Sequence, residues 1–325
     1  MKVHILDDWF DTLRRLPCFA LLQDHDVTVW TDHEPDPGKL ATRILEAEAL
    51  VLFRERTKIG AELLNHLNNL RLISQRSVYP HVDVEACSRN DVLLCSNMHS
   101  DTPSFAAAEH TLALILASYR QIPQQVASIR AGNWQAGVGR TLRGRILGLY
   151  GYGRIGRAVA GYAHAIGLHV QWWGSEAGRA RAKADGEHVP ESREAFFAGS
   201  DIISLHVRLK PETRGIITAT DLAQMQDRAL FVNTSRSGLV VPGALETELA
   251  KGRIHAAVDV FDEEPLRDTA NPLLTHPNVL PTPHVGYVTE DEFNLQFTDI
   301  FDQINAYDKG MPTHMINPQV WAKTT

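Results

Sequence analysis

The chain has 325 residues, 44% apolar and 22% charged, with 39 acidic and 32 basic side chains and a formal net charge of -7. That length suits two domains, and the apolar share excludes disorder. The acidic balance disfavours a nucleic-acid partner. Cys18, Cys87 and Cys95 fall at unpatterned spacing, so neither a disulfide scaffold nor a metal site is expected. Charge sits inside the first apolar run, unlike a secretory leader. The most apolar helical stretch, Thr111 to Ala117, is too short to span a bilayer. The expectation is a cytoplasmic α/β protein with no membrane partner.

Short β-branched runs alternate with helical spacing from the start. Val3 to Leu6, Val27 to Trp30, Ala49 to Phe53, Leu70 to Ile73 and Val92 to Cys95 read as buried strands. Helical patterns such as Lys39 to Glu48 and Ala61 to Leu67 separate them. This alternation predicts a doubly wound parallel sheet. Ser104 to Arg120 reads as a long, mostly apolar helix that needs cover on several sides. Six further strands are expected, Arg145 to Tyr150, His169 to Trp173, Ile202 to His206, Ala229 to Asn233, Ala256 to Val260 and Val279 to Thr282. Six is the count of a full dinucleotide-binding sheet. A helix is expected from Glu290 to about Tyr307, and the tail from Met311 is expected to return to the first lobe.

The strand ending at Tyr150 runs into Gly151-Tyr152-Gly153-Arg154-Ile155-Gly156, and a helix follows. Glycines alone would mark only a turn. Between a strand and a helix they form a pyrophosphate cradle. Gly151 permits the turn, Gly153 lets phosphate approach, and Gly156 lets helix and strand pack. The N–H groups of Arg154 and Ile155 then point at phosphate oxygens. The next strand should end in an acid for the adenosine-ribose hydroxyls. Here it ends at Gly174-Ser175-Glu176. Ser175 suits a hydroxyl or a phosphate. Arg179 and Arg181 are either a solvated helix face or a phosphate grip. NAD versus NADP is therefore open, with NAD the cofactor expected and NADP possible.

Three residues follow successive strands at the carboxyl edge, where a doubly wound sheet binds ligands: Arg236, Glu264 and His284. Arg236 offers a planar fork for a carboxylate. His284 can pass a proton to a carbonyl oxygen as hydride arrives. Glu264 would steady the imidazolium.

These motifs resemble the D-isomer-specific 2-hydroxyacid dehydrogenase family, which includes D-3-phosphoglycerate dehydrogenase and glyoxylate and hydroxypyruvate reductases. The matching stretches are Gly151 to Gly156, Phe231 to Arg236, Val258 to Phe261 with Glu264-Pro265, and Thr282-Pro283-His284. The resemblance covers about residues 50 to 325. It implies that Arg236, Glu264 and His284 are catalytic, and that Asp259 contacts the nicotinamide carboxamide. It places Thr234 and Ser235 under the cofactor and Gly286 near the nicotinamide. It sets His206 and Val207 beside the adenosine, and Thr213 near the pyrophosphate. Arg54 matches an arginine that holds anionic substrates. The substrate loop departs from the family's glycine-rich form, reading Ser77-Val78-Tyr79-Pro80-His81. The N–H groups of Val78 and Tyr79 remain suited to a carboxylate.

The fold expected is a Rossmann cofactor domain, residues 98–287, inserted into a flavodoxin-like substrate domain, residues 1–97 and 288–325, with a cleft between two doubly wound lobes. The function expected is interconversion of a 2-oxo acid and a D-2-hydroxy acid with NAD(P)(H), in a homodimer joined near Ser104 to Arg120. A redox-sensing corepressor that binds NAD(H) without turnover is the alternative. No stretch resembles the regulatory domain that some phosphoglycerate dehydrogenases append, which weakens a feedback-regulated role.

Overall fold

The computed structural model describes residues 1–98 and 104–322. Of the domain ranges expected above, residues 99–103 and 323–325 lie outside the described residues. The chain divides into two compact units, Met1–Pro103 with Val288–Thr325, and Ser104–Tyr287. Each unit has its own all-parallel sheet.

The first unit contains β1 (Lys2–Ile5), β2 (Asp26–Val29), β3 (Ala49–Val51), β4 (Leu72–Arg76) and β5 (Leu93–Asn97), in the order β2-β1-β3-β4-β5. That order is flavodoxin-like. Parallel strands need cover on both faces, and β3 and β4 are buried along their whole length. Helix Glu290–Asp308 supplies part of that cover through Phe293, Phe297, Ile300, Phe301 and Ile304 at helical spacing. Phe297 meets Phe53 with ring centroids 4.4 Å apart. The tail then joins β5. Met315 bridges Cys95, and the Asn317 side chain takes Leu94 N–H at 2.8 Å and gives to Val92 O at 2.9 Å.

The second unit contains β6 (Ile146–Tyr150), β7 (His169–Trp173), β8 (Ile202–Leu205), β9 (Leu230–Asn233), β10 (His255–Val258) and β11 (Val279–Pro281). The order is β11-β10-β9-β8-β6-β7. The count is the expected six, yet the 3-2-1-4-5-6 arrangement of a full dinucleotide sheet is not reached. Beyond β7 the ladder is reduced to Trp172 N–H on His188 O at 2.9 Å. Pro190 has no N–H to continue it. The strand order reverses at β6, which opens a crevice at the carboxyl ends of β6 and β8.

Helix Ala106–Arg120 forms within the stretch expected to be helical. It buries one face, Ala108, Thr111, Leu114, Ile115 and Tyr119, in a core shared with helix Arg154–Ala165, while Ala113 and Leu116 are exposed. Many of its apolar residues are alanines, which need little cover. Removing the ring that makes the closest contact of the first unit's aromatic cluster should be costly. Phe297→Ala is expected to lose about 3–5 kcal/mol in urea unfolding, and a loss under about 1 kcal/mol contradicts this packing.

Candidate active site

The turn after β6 is shaped by contact. Gly151 has φ +118°, and a Cβ there would lie 2.5 Å from His206 O and 2.7 Å from Val207 Cγ1. At Gly156 a Cβ would meet Gly151 O at 2.7 Å. Gly153 is extended, and the nearest atom to an added Cβ is 4.0 Å away. The space over Gly153 is thus open, beside the unpaired first N–H groups of helix Arg154–Ala165, those of Arg154 and Ile155. Tyr152 is pinned by its ring on Trp172 and its hydroxyl on Asp185 at 2.5 Å. Burial and then Asp185 push that hydroxyl up to about 12. His206 Nε2 lies 2.9 Å from Ser204 Oγ, and burial pushes the ring down to about 4, so it stays neutral.

Several expected cofactor contacts serve the fold. Thr213 accepts from Lys210 N–H at 2.8 Å and donates to Arg208 O at 2.6 Å. Ser235 donates to Leu205 O at 2.6 Å. A phosphate oxygen only accepts, and each hydroxyl has already given its one proton. The hydroxyl protons of Thr213 and Ser235 are thus spent within the protein. Thr234 Oγ1 pairs with Thr111 Oγ1 at 2.8 Å. Ser175 accepts from Gly178 N–H at 3.2 Å as an N-cap, keeping its own proton to give.

The ends of β9, β10 and β11 bring two of the three chemical candidates into contact. Glu264 Oε1 accepts from Phe261 N–H at 2.9 Å, which fixes the carboxylate. Its Oε2 lies 2.5 Å from Nδ1 of His284. That bond assigns the Nδ1 proton to the carboxylate and leaves Nε2 for a ligand. His284 sits at φ +54°, a strained value for a side chain of this kind. Arg236 follows neighbouring β9. Its Nη1 donates to Ser235 O at 2.7 Å, and its own carbonyl accepts from Asn233 Nδ2 at 2.9 Å.

Asp259, the residue expected against the nicotinamide carboxamide, has its carboxylate engaged by the protein's own donors. It is fully buried. Oδ1 accepts from Thr282 Oγ1 at 2.6 Å and Val285 N–H at 2.9 Å, with His110 Nε2 at 3.2 Å. Oδ2 accepts from Gly286 N–H at 2.9 Å, and a Cβ on Gly286 would press on that oxygen at 3.1 Å. Asp259 therefore anchors the turn that carries His284. Burial alone would raise its carboxyl. Hydrogen bonds from His110, Thr282 and Val285 outweigh burial and hold it below the ordinary range. His110 and Thr111, a polar pair inside an apolar helix, had no role expected from the sequence.

The first unit holds the remaining candidates. Arg54 and Ser77 take left-handed φ values of 54° and 77°. Ser77 N–H donates to Asn97 O at 3.0 Å, and its carbonyl accepts from Gln75 Nε2 and Ser96 Oγ. These bonds hold Ser77 where glycine would sit without strain. Val78 is exposed, and the Tyr79 carbonyl accepts from Val82 N–H at 3.1 Å. His81, given no role above, has both ring nitrogens buried without a partner among the described residues, and burial pushes it down to about 4.

Residues 112–286 match the family described as D-isomer specific 2-hydroxyacid dehydrogenase, NAD binding domain. The chain belongs to this family. It is 34% identical over 313 residues to a glyoxylate reductase of Aeropyrum pernix, covering 91% of each chain. It is 35% identical over 276 residues to a D-3-phosphoglycerate dehydrogenase of Methanocaldococcus jannaschii, covering 84% of this chain and 52% of that one. The chain thus spans about half the length of that relative. A crystal structure of a phosphoglycerate oxidoreductase from Vibrio cholerae superposes with TM-score 0.90 at 43% identity, covering 95% of this chain and 99% of that one.

An aspartate held below its ordinary value stabilises the fold above the unfolded value near 4 and loses that effect as pH falls through the folded value. Asp259→Asn should lower stability by about 2–3 kcal/mol near neutral pH. Thermal unfolding should show the difference from the parent narrowing below about pH 4. An equal difference at both ends of the pH range contradicts an ionised anchor.

Proposed function

We propose that this protein interconverts a 2-oxo acid and a D-2-hydroxy acid, with a nicotinamide dinucleotide, NAD or NADP, as hydride carrier. The observation that carries the reading is the Glu264–His284 contact, made at the strand ends of the unit that also holds the glycine turn. In this reading Ser104–Tyr287 is the cofactor unit and Met1–Pro103 with Val288–Thr325 the substrate unit. The residues fit the dinucleotide. Gly151 and Gly156 admit no side chain, while the space over Gly153 is open. The N–H groups of Arg154 and Ile155 and the walls at Val207 and Gly174 would hold it.

The nicotinamide supplies or takes the hydride. Arg236 holds the substrate carboxylate in its planar fork and polarises the adjacent carbonyl. His284 gives a proton from Nε2 to the carbonyl oxygen during reduction and takes it back during oxidation. Glu264 keeps the Nδ1 proton in place and stabilises the cationic ring. Asp259 fixes the turn beneath. Arg54, Ser77, Val78 and Tyr79 contribute to substrate binding from their own unit.

The same reading includes a cytoplasmic homodimer. Three free, buried cysteines suit a reducing compartment. No helix among the described residues is long and apolar enough to cross a membrane. Ile122, Val126, Ile129, Trp134 and Val138 are all exposed, Trp134 at 72%. Phe105 and Leu116, in the stretch expected to join the subunits, are exposed as well, and exposed large apolar residues favour an interface where they form one patch. Light scattering is expected to give twice the chain mass, and Ile129→Asp with Trp134→Asp to give the monomer. A monomeric parent refutes the dimer.

A panel of glyoxylate, hydroxypyruvate and longer 2-oxo acids, each with NADH and NADPH, tests the activity. At least one pair should be turned over. His284→Ala should lower kcat about 10²–10⁴-fold, and Arg236→Ala should lower kcat/KM by a similar order. Nucleotide oxidation at the protein-free rate across the panel, or a His284→Ala variant near parental rate, contradicts the proposal.

A further inference from the structure

We infer that the carboxyl end of β7 receives a 2′-phosphate, so that the protein uses NADP(H) in preference to NAD(H). The inference rests on the dinucleotide reading above and goes further, to the choice between the two carriers. An acid at the end of the second strand of such a sheet pairs with ribose hydroxyls and repels a 2′-phosphate, whereas an arginine nearby accommodates that phosphate.

The acid position is filled by Gly174. Its φ is +139°, and an added Cβ would lie 3.4 Å from Gly151 N and 3.5 Å from Gly151 Cα. Any side chain there would be strained and packed onto the phosphate turn. The backbone itself thus opposes a carboxylate at this point.

Two guanidinium groups occupy the surroundings instead. Arg179 lies over the Trp173 ring, 4.4 Å from its centroid, and its Nη1 donates to Gly174 O at 2.6 Å. Arg181 Nη2 donates to Tyr152 O at 3.3 Å. One cation therefore rests on the end of β7 and the other on the glycine turn after β6. Among the described residues neither forms an ion pair, although Glu176 is three residues before Arg179 on the same helix. A guanidinium has five N–H donors, and each of these uses one on a backbone carbonyl. The remaining donors suit bidentate phosphate binding. Ser175 is exposed beside them with its hydroxyl proton still to give. Glu176 opposes a phosphate, while Asp185 and Glu187 are engaged by the Tyr152 hydroxyl and the Trp172 ring N–H. The guanidinium donors of Arg179 and Arg181 suit the nearly doubly charged phosphate.

The competing role for both arginines is to brace the backbone carbonyls of residues 174 and 152. A brace, when lost, lowers stability and weakens both carriers alike, while a phosphate grip changes their ratio. Calorimetric titration of the full chain with NADPH, NADH, 2′,5′-ADP and 5′-ADP at fixed ionic strength separates the two. NADPH should bind at least about tenfold more tightly than NADH, and 2′,5′-ADP more tightly than 5′-ADP. Arg179→Gln combined with Arg181→Gln should reduce the NADPH-to-NADH ratio by about tenfold or more, and Glu176→Gln should raise it. NADH binding as tightly as NADPH, or a ratio unmoved in the double variant, overturns the inference and leaves the dehydrogenase reading standing. If no nucleotide binds, both readings fall.

Discussion

A buried carboxylate holds the chemical end of the second unit together. Asp259 lies at the end of β10 with no exposed surface, and its two oxygens accept hydrogen bonds from Thr282, Val285, Gly286 and His110. Burying that charge is costly unless donors surround it. Here they do, and they come from the β11 turn and from helix Ala106–Arg120. The turn has no freedom to slide. His284 is thereby held at a positive φ with Nδ1 against Glu264. Local strain persists where surrounding structure over-determines it, and such places are commonly functional.

The phosphate turn follows the same logic with van der Waals contact in place of charge. Gly151 and Gly156 bring β6, β8 and the following helix closer than a Cβ permits, and Gly153 is left without a neighbour on its open side. The polar side chains around it divide in two. Thr213, Thr234 and Ser235 tie loops and helices to the sheet ends. Backbone N–H groups, Ser175 and the arginines of the next helix still have donors to offer. Close packing thus fixes the frame, and the unspent donors define what the frame can hold.

The sheet architecture was legible in the sequence because each buried parallel strand is a short apolar run, and the eleven strands lie at or near their expected positions. The glycine turn was legible because its spacing has one steric meaning. Sheet order was not, since periodicity carries no pairing information, and only the position of Pro190 hinted that the ladder stops beyond β7. At helix Ala106–Arg120 alanine raises the apolar share without demanding burial, so composition alone did not say which face the chain itself covers. The partners of Asp259 were hidden for another reason. His110 and Asp259 are far apart in the chain, and no local rule pairs them. Ser77 shows the converse case. The substrate loop lacks the family's glycine there, and hydrogen bonds to Asn97, Gln75 and Ser96 hold Ser77 in a left-handed turn.

The central claim is that Arg236, Glu264 and His284 converge on one reacting group. A crystal structure with the dinucleotide and oxalate, a mimic of the 2-oxo acid, tests it most directly. The account predicts the oxalate carboxylate in the fork of Arg236 and a second oxygen within hydrogen-bond reach of His284 Nε2, about 2.6–3.2 Å. Oxalate bound elsewhere, or an imidazole turned off Glu264 and away from the ligand, would contradict it.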